Sequence, residues 1–195
     1  MYTPPAAHRD DPTVANEVID AHPFALLVTA DSTGVLTPTH LPILREEDCL
    51  LGHVALGNPQ ARLSATSALV VFQGPHGYVS PTWYGRPEAH VPTWNYVSVH
   101  VSGRLEALTA EETAAAVDRL VERFEAVWTV GPSVRAQLAS GIVGFRVRMD
   151  RVETRLKLSQ NQEEADAMRV ADHFRRSDPA LATWMRRALQ TRKRP

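Results

Sequence analysis

Residues 24–158 carry about six to eight short runs of strand-like character with few helices between them, and this spacing constrains the fold more than any other feature. Turn-length connections join antiparallel neighbours, whereas a parallel crossover needs a dozen residues or more, usually a helix. Runs fall at 24–30, 35–41, 50–55, 68–72, 96–107 and 142–149. Asp31-Ser32-Thr33-Gly34 supplies a turn, with Gly34 available for a positive φ, so 24–30 and 35–41 read as a hairpin. Pro38 and Pro42 cannot donate to a ladder, so the second arm is expected to sit at a sheet edge or carry an irregularity. Residues 68–72 are almost continuously apolar and read as a strand buried on both sides. Farther on, Val97, Val99 and Val101 alternate with Ser98, His100 and Ser102. In 142–149, Val143, Phe145, Val147 and Met149 alternate with Arg146 and Arg148, and the strand is expected to continue through Val152 toward Leu158. The fold class expected is mainly β or α+β: a small closed or split antiparallel barrel with peripheral helices.

Helices are marked by their caps. Pro12 stands at the first position of a short helix carrying Val14, Val18 and Ile19, which Pro23 terminates. Asn58-Pro59 opens another through Leu63. Thr109-Ala110-Glu111-Glu112 is a capping box, and Val117, Leu120, Val121, Phe124, Val127 and Trp128 follow at helical spacing as a core stripe. Two helices end the chain: one over 163–175, and one begun by Ser177-Asp178-Pro179 with Leu181, Trp184, Met185 and Ala188 inward.

At 195 residues, without a flexible linker, the chain is expected to form a barrel domain over 1–170 with a helical extension over 171–195. That extension carries seven basic residues against Asp172 and Asp178, a net +5 on a body of −6. Such an end suits either a nucleic-acid contact or a solvated helix face. No apolar run is long enough to cross a bilayer, the first residues do not resemble a secretory signal, and Cys49 is the single cysteine. A cytoplasmic location and a buried, inert thiol are the expectations.

Two blocks concentrate the chemistry: Gln73-Gly74-Pro75-His76-Gly77-Tyr78-Val79-Ser80-Pro81-Thr82-Trp83-Tyr84 and Val91-Pro92-Thr93-Trp94-Asn95-Tyr96. Their aromatic density suits the walls of a site for a flat, partly polar ligand, or an aromatic dimer seam, and a site within such a seam satisfies both. The motifs of the commonest hydrolases, nucleotidases and dinucleotide enzymes are missing. No two histidines have the spacing of a helical zinc site, and no metal is expected. Gly57-Asn58-Pro59-Gln60 reads as a capped helix start offering free backbone N–H groups to an anion. Thr37, Thr39 and His53 alternate with apolar neighbours on flanking strands. Lys157, Ser159, Gln160 and Asn161 add a cation and neutral polar groups suited to a phosphate or a pyrimidine-like edge.

Further motifs are Met1-Tyr2-x-Pro4, Thr39-His40-Leu41-Pro42, Gly52-His53, Asn58-Pro59-Gln60, Phe72-Gln73-Gly74-Pro75-His76, Tyr78-Val79-Ser80-Pro81, Trp83-Tyr84, Val91-Pro92-Thr93-Trp94-Asn95-Tyr96, Gly141-Ile142-Val143-Gly144-Phe145 and Lys157-Leu158-Ser159-Gln160-Asn161. In this order they resemble the PaiB-type, FMN-binding negative transcriptional regulator family, from residue 1 to about 167. The resemblance implies an FMN-binding split barrel similar to pyridoxamine phosphate oxidases and flavin reductases, usually a homodimer, with a regulatory role that brings DNA in as a possible partner. It further implies FMN contacts from Thr37, Thr39, His40, His53, Val54, Gly57, Asn58, Gln60 and Trp94, with Lys157, Ser159 and Gln160 closing the site. Leu56 and Ala61 depart from the family pattern, which favours a basic and an aromatic residue there; loss of the basic contact implies FMN binding weaker by roughly 1.5–3 kcal/mol. Arg62 is the nearest substitute. The competing expectations are a flavin-dependent oxidoreductase with Trp83, Trp94 and Tyr96 around its substrate, and a dimeric protein that binds no flavin.

Overall fold

The structure, a computed structural model, describes residues 8–9, 11–125, 127 and 131–192. Trp128, the Met1-Tyr2 opening, Lys193 and Arg194 lie outside the described residues. The chain forms two compact units, each built from separated segments. The strand unit comprises Ile19–Phe72 and His100–Val152; the helix unit comprises the described parts of Met1–Val18, Gln73–Val99 and Glu153–Pro195. Two long strands, β6 (Thr66–Val79) and β7 (Thr93–Ala107), give residues to each.

In the strand unit, β2 (Phe24–Ala30) pairs antiparallel with β3 (Leu36–Pro42) and with residues 68–71 of β6. The hairpin forms as expected: Asp31 Oδ1 accepts the N–H groups of Thr33 and Val35, and Gly34 has φ 85°. β8 (Ile142–Arg148) lies between β7 and β5 (Cys49–Ala55), and β4 (Leu44–Glu46) borders β5. β3 is an edge strand, as its prolines demand. Closure is visible at Gly52 on β5, where a Cβ would lie 2.6 Å from the Phe145 ring and 3.0 Å from Leu41 Cδ1 of β3. The curled sheet thus brings strands far apart in its order around one interior.

Helix α2 (Ala110–Phe124) starts at the capping box, Thr109 Oγ1 accepting the Glu112 N–H and the Glu112 carboxylate accepting that of Thr109. Thr113, Ala116 and Leu120 are buried, and Thr113 Oγ1 accepts the Gly144 N–H at 3.0 Å. The expected stripe is too long: Phe124 is the last helical residue, and it and Val127 are exposed. α3 (Pro132–Ala139) leads into β8.

Two other expectations are corrected. Ala68, Val70 and Phe72 are buried but Leu69 and Val71 are partly exposed, so this strand is buried on one face. The run after Ile142 is two strands, β8 and β9 (Arg151–Lys157), because Met149 and Asp150 turn the chain, with the Asp150 N–H bonded to the Arg148 carbonyl.

In the helix unit β9 pairs with β7 and with β1 (His8–Arg9). α1 (Pro12–Ala21) begins where Asp11 accepts the Thr13 N–H. α4 (Glu164–Ser177) runs unbroken past residue 171 and meets α5 (Pro179–Arg192) after Asp178, whose Oδ1 accepts the Leu181 N–H. Val170, Ala171, Leu181 and Met185 are fully buried along this pair. Gly77 of β6 is glycine for a packing reason: a Cβ there would lie 2.4 Å from the Phe174 ring. Among the described residues no helix is long and apolar enough to cross a membrane.

Candidate functional site

In the strand unit the residues of interest surround the short 3-10 turn Pro59–Arg62. Asn58 caps it, its Oδ1 accepting the Gln60 N–H at 2.9 Å while its Nδ2 donates to Thr39 Oγ1 at 3.1 Å. Gln60 is 2% exposed, and its Nε2 donates to Thr29 Oγ1 and to the Thr37 carbonyl, each at 3.0 Å. Cap, turn and strand β3 are therefore fixed together. Two buried atoms nearby in sequence remain without a hydrogen-bond partner among the described residues, Gln60 Oε1 and His53 Nδ1. Burial pushes the His53 imidazole pKa down, favouring the neutral ring.

The free N–H groups expected at this turn are not there. Pro59 has none, Gln60 gives its own to Asn58 Oδ1, and Ala61 gives its own to the Asn58 carbonyl. A one-turn helix closes its own donors. Gly57 does keep an open side: among the described residues, its chain neighbours aside, no atom lies within 4 Å of where a Cβ would stand. Leu56 is 57% exposed, and Arg62 is exposed. Strand alternation turns His40 away from Thr37 and Thr39, onto the face where it stacks on Phe24 at 5.9 Å. Val54 is buried in the unit's core.

In the helix unit a cleft of about 280 Å³ is lined by Tyr84, His90, Thr93, Asn95, Lys157 and Ser159, with Asn161 and Gln162 beside them. Lys157 Nζ donates to Thr93 Oγ1. Burial, and to a lesser extent Arg155, pushes the Lys157 pKa down. Asn95 is buried, donating from Nδ2 to Ser159 Oγ at 2.9 Å and receiving the hydroxyl proton on Oδ1 at 3.2 Å. Ser159 has φ 60°, an uncommon backbone state for a residue with a Cβ. Gln160 is turned onto its own chain: its Oε1 accepts the Leu158 N–H and its Nε2 donates to the Leu156 carbonyl.

His90 forms a wall of this cleft, stacked on Tyr84 with centroids 3.9 Å apart. Asp166 lies 3.9 Å from its Nε2, and the Gly85 N–H, then Arg169, hold that carboxyl below its ordinary pKa. Trp94 faces outward, 53% exposed, with Tyr78 edge-on at 6.0 Å. Trp83 stacks on His173 at 4.5 Å. Of the aromatic blocks, then, Tyr84 lines the cleft while Trp83 packs on α4. Period-two alternation along β7 puts Thr93 and Asn95 on one face and the exposed Trp94 on the other, so the conspicuous ring is not the one that lines the cleft.

The fold is that of the flavin-binding split barrels. The structure of the Flavocytochrome Anf3 from Azotobacter vinelandii superposes with a TM-score of 0.63 at 17% identity, covering 82% of this chain and 74% of that one. The FAD and Heme binding protein from Mycobacterium smegmatis gives 0.62 at 16%, covering 77% and 73%. The chain belongs to the PaiB-type FMN-binding family: the family described as "Putative FMN-binding domain" matches residues 1–151, and "Protease synthase and sporulation protein PAI 2" of Bacillus subtilis (strain 168) is 33% identical over 185 residues, 88% of each chain.

Proposed function

We propose that this protein is a homodimeric, FMN-binding regulator of the PaiB type, and that the turn around Gln60 holds the polar edge of the flavin. The observation that carries this is the Gln60 amide, locked through Nε2 with its buried Oε1 still without a donor. A flavin ring edge presents an N–H between two carbonyls, and a fixed amide oxygen is a complement to that N–H. His53, kept neutral by burial, supplies a second polar atom, and Thr37, Thr39 and Asn58 set the direction of the amide. Gly57 leaves room for close approach. Lys157 and Ser159 belong to the cleft of the helix unit, Val54 and Gln160 serve the scaffold, and His40 and Trp94 face outward. Bound FMN would supply an acceptor for two electrons and a proton.

The dimer reading is supported by one face of the strand unit. On β2, Phe24, Leu26, Val28 and Ala30 point the same way, opposite Pro42, His40, Pro38 and Leu36 of β3 and, on β6, Val71 and Leu69. Apart from His40 this face is apolar, yet Phe24 and Leu36 are each 66% exposed and the others are at least partly so. A contiguous apolar face of this kind is characteristic of an interface, and a second copy of the chain is the partner proposed. The C-terminal basic residues support DNA contact less strongly, since Arg186 pairs with Asp172, and Arg187 with Glu17. A cytoplasmic location accompanies the regulatory reading.

Titration of FMN into the purified chain tests the cofactor. Saturable quenching of flavin fluorescence that weakens in Gln60→Ala supports the proposal; unquenched FMN at every protein concentration refutes it. Sequence-selective, salt-sensitive DNA binding favours the regulator. NADH consumption with FMN and an acceptor, without DNA binding, replaces it by a flavin oxidoreductase.

A further inference from the structure

We propose that the cleft of the helix unit lined by Thr93, Asn95 and Lys157 is a site for an oxyanion, a phosphate or carboxylate group held by the Lys157 ammonium. The inference stands apart from the assignment of Gln60 to the flavin and does not depend on it.

Four observations carry it. Lys157 is partly buried, and among the described residues its ammonium bonds to a neutral hydroxyl, that of Thr93, with no carboxylate lining the cleft. Partial desolvation of a cation without a counter-ion is unfavourable, and an arriving anion relieves that cost. Burial already pushes the Lys157 pKa down, in the sense this requires.

The floor is rigid and neutral. Asn95 and Ser159 satisfy each other, Asn95 Nδ2 also contacts Met185 Sδ at 3.5 Å, and Ser159 holds a left-handed backbone. A strained residue kept in place by surrounding bonds is a feature of pre-formed sites. The carboxylate beside the His90 wall, Asp166, is engaged by the Gly85 N–H at 2.8 Å and by Arg169 at 2.7 Å, so its charge is compensated there. Finally, Asn161 places an amide group along the cleft, a donor type suited to further anion oxygens.

Two sources offer such a group: the phosphate of FMN itself, or a separate small acid. The test is calorimetric titration of the full chain with inorganic phosphate, succinate, FMN and riboflavin, the last being the flavin without a phosphate. Wild-type protein is expected to bind phosphate or succinate, or to prefer FMN over riboflavin, and Lys157→Gln to lose about 10-fold or more in that binding. Lys157→Arg should recover part of it. If phosphate competes with FMN and Lys157→Gln weakens FMN but not riboflavin, the oxyanion is the flavin phosphate. If phosphate or succinate binds alongside FMN, or binds when no flavin does, it is a separate acid, and in the latter case the flavin reading falls while this one stands. Wild-type protein that takes up neither phosphate nor succinate and does not distinguish FMN from riboflavin overturns the proposal, whatever the variants do. So does a folded Lys157→Gln chain that binds all four as wild type does.

Discussion

Replacing Gln60 by alanine removes the amide that joins the 3-10 turn to β2 and β3. Two hydrogen bonds are lost, to Thr29 Oγ1 and the Thr37 carbonyl, at a residue 2% exposed. Each contributes roughly 0.5–1.5 kcal/mol net, and the deleted methylene about 0.8 kcal/mol more. Wild-type Gln60 also carries the desolvation of its unpartnered Oε1, a cost the alanine variant escapes. The expected loss is therefore about 2–3 kcal/mol, which for a chain of this size lowers the melting temperature by roughly 4–12 °C. The assay is paired: thermal melting followed by circular dichroism, with and without FMN. Gln60→Ala should melt lower without cofactor and gain less from added FMN than wild type, because an occupied site stabilises in proportion to its affinity. A variant that melts with wild type and gains as much from FMN would refute both the scaffold role and the cofactor role assigned to this amide.

The other predictions are narrower. His53 has its pKa lowered by burial, so below its ordinary value near 6.5 the unfolded chain binds the extra proton and the folded chain resists it. Stability should fall as pH drops through that value, and His53→Gln should flatten denaturation midpoints measured from pH 7.5 to 5; an unchanged slope would contradict the assignment. At Gly103 a Cβ would stand 1.7 Å from the Arg148 carbonyl oxygen, so Gly103→Ala should cost about 3 kcal/mol or more in urea unfolding. Leu26→Asp, on the apolar face of β2, should shift the sedimentation coefficient from dimer to monomer with little change in secondary structure; a variant that remains dimeric would remove that face as the interface.

Local chemistry made much of the fold legible. Asp31 through Gly34, the Thr109–Glu112 box and the edge prolines each act through neighbours within a few residues, and each occurs as its chemistry requires. What stayed hidden depends on partners distant in sequence. Gly77 looked like part of a ligand wall, whereas its form is dictated by Phe174 nearly a hundred positions later. Phe124 and Val127 kept helical spacing beyond the point where α2 has anything to pack on. The turn at Met149 and Asp150 was masked by apolar alternation on each side. Among the candidate site residues, Thr37, Thr39, Asn58 and Gln60 are joined by hydrogen bonds. The cleft at Lys157 was half visible: Lys157 and Ser159 stood out as polar groups, but Asn95 acquires meaning through its bond to Ser159, 64 positions away.

Whether the chain takes up a flavin is read out by equilibrium titration of the purified protein with FMN. Saturable quenching at one FMN per chain, weakened in Gln60→Ala, is the expected result. FMN fluorescence that stays at its free-solution value through a large excess of folded protein would contradict it.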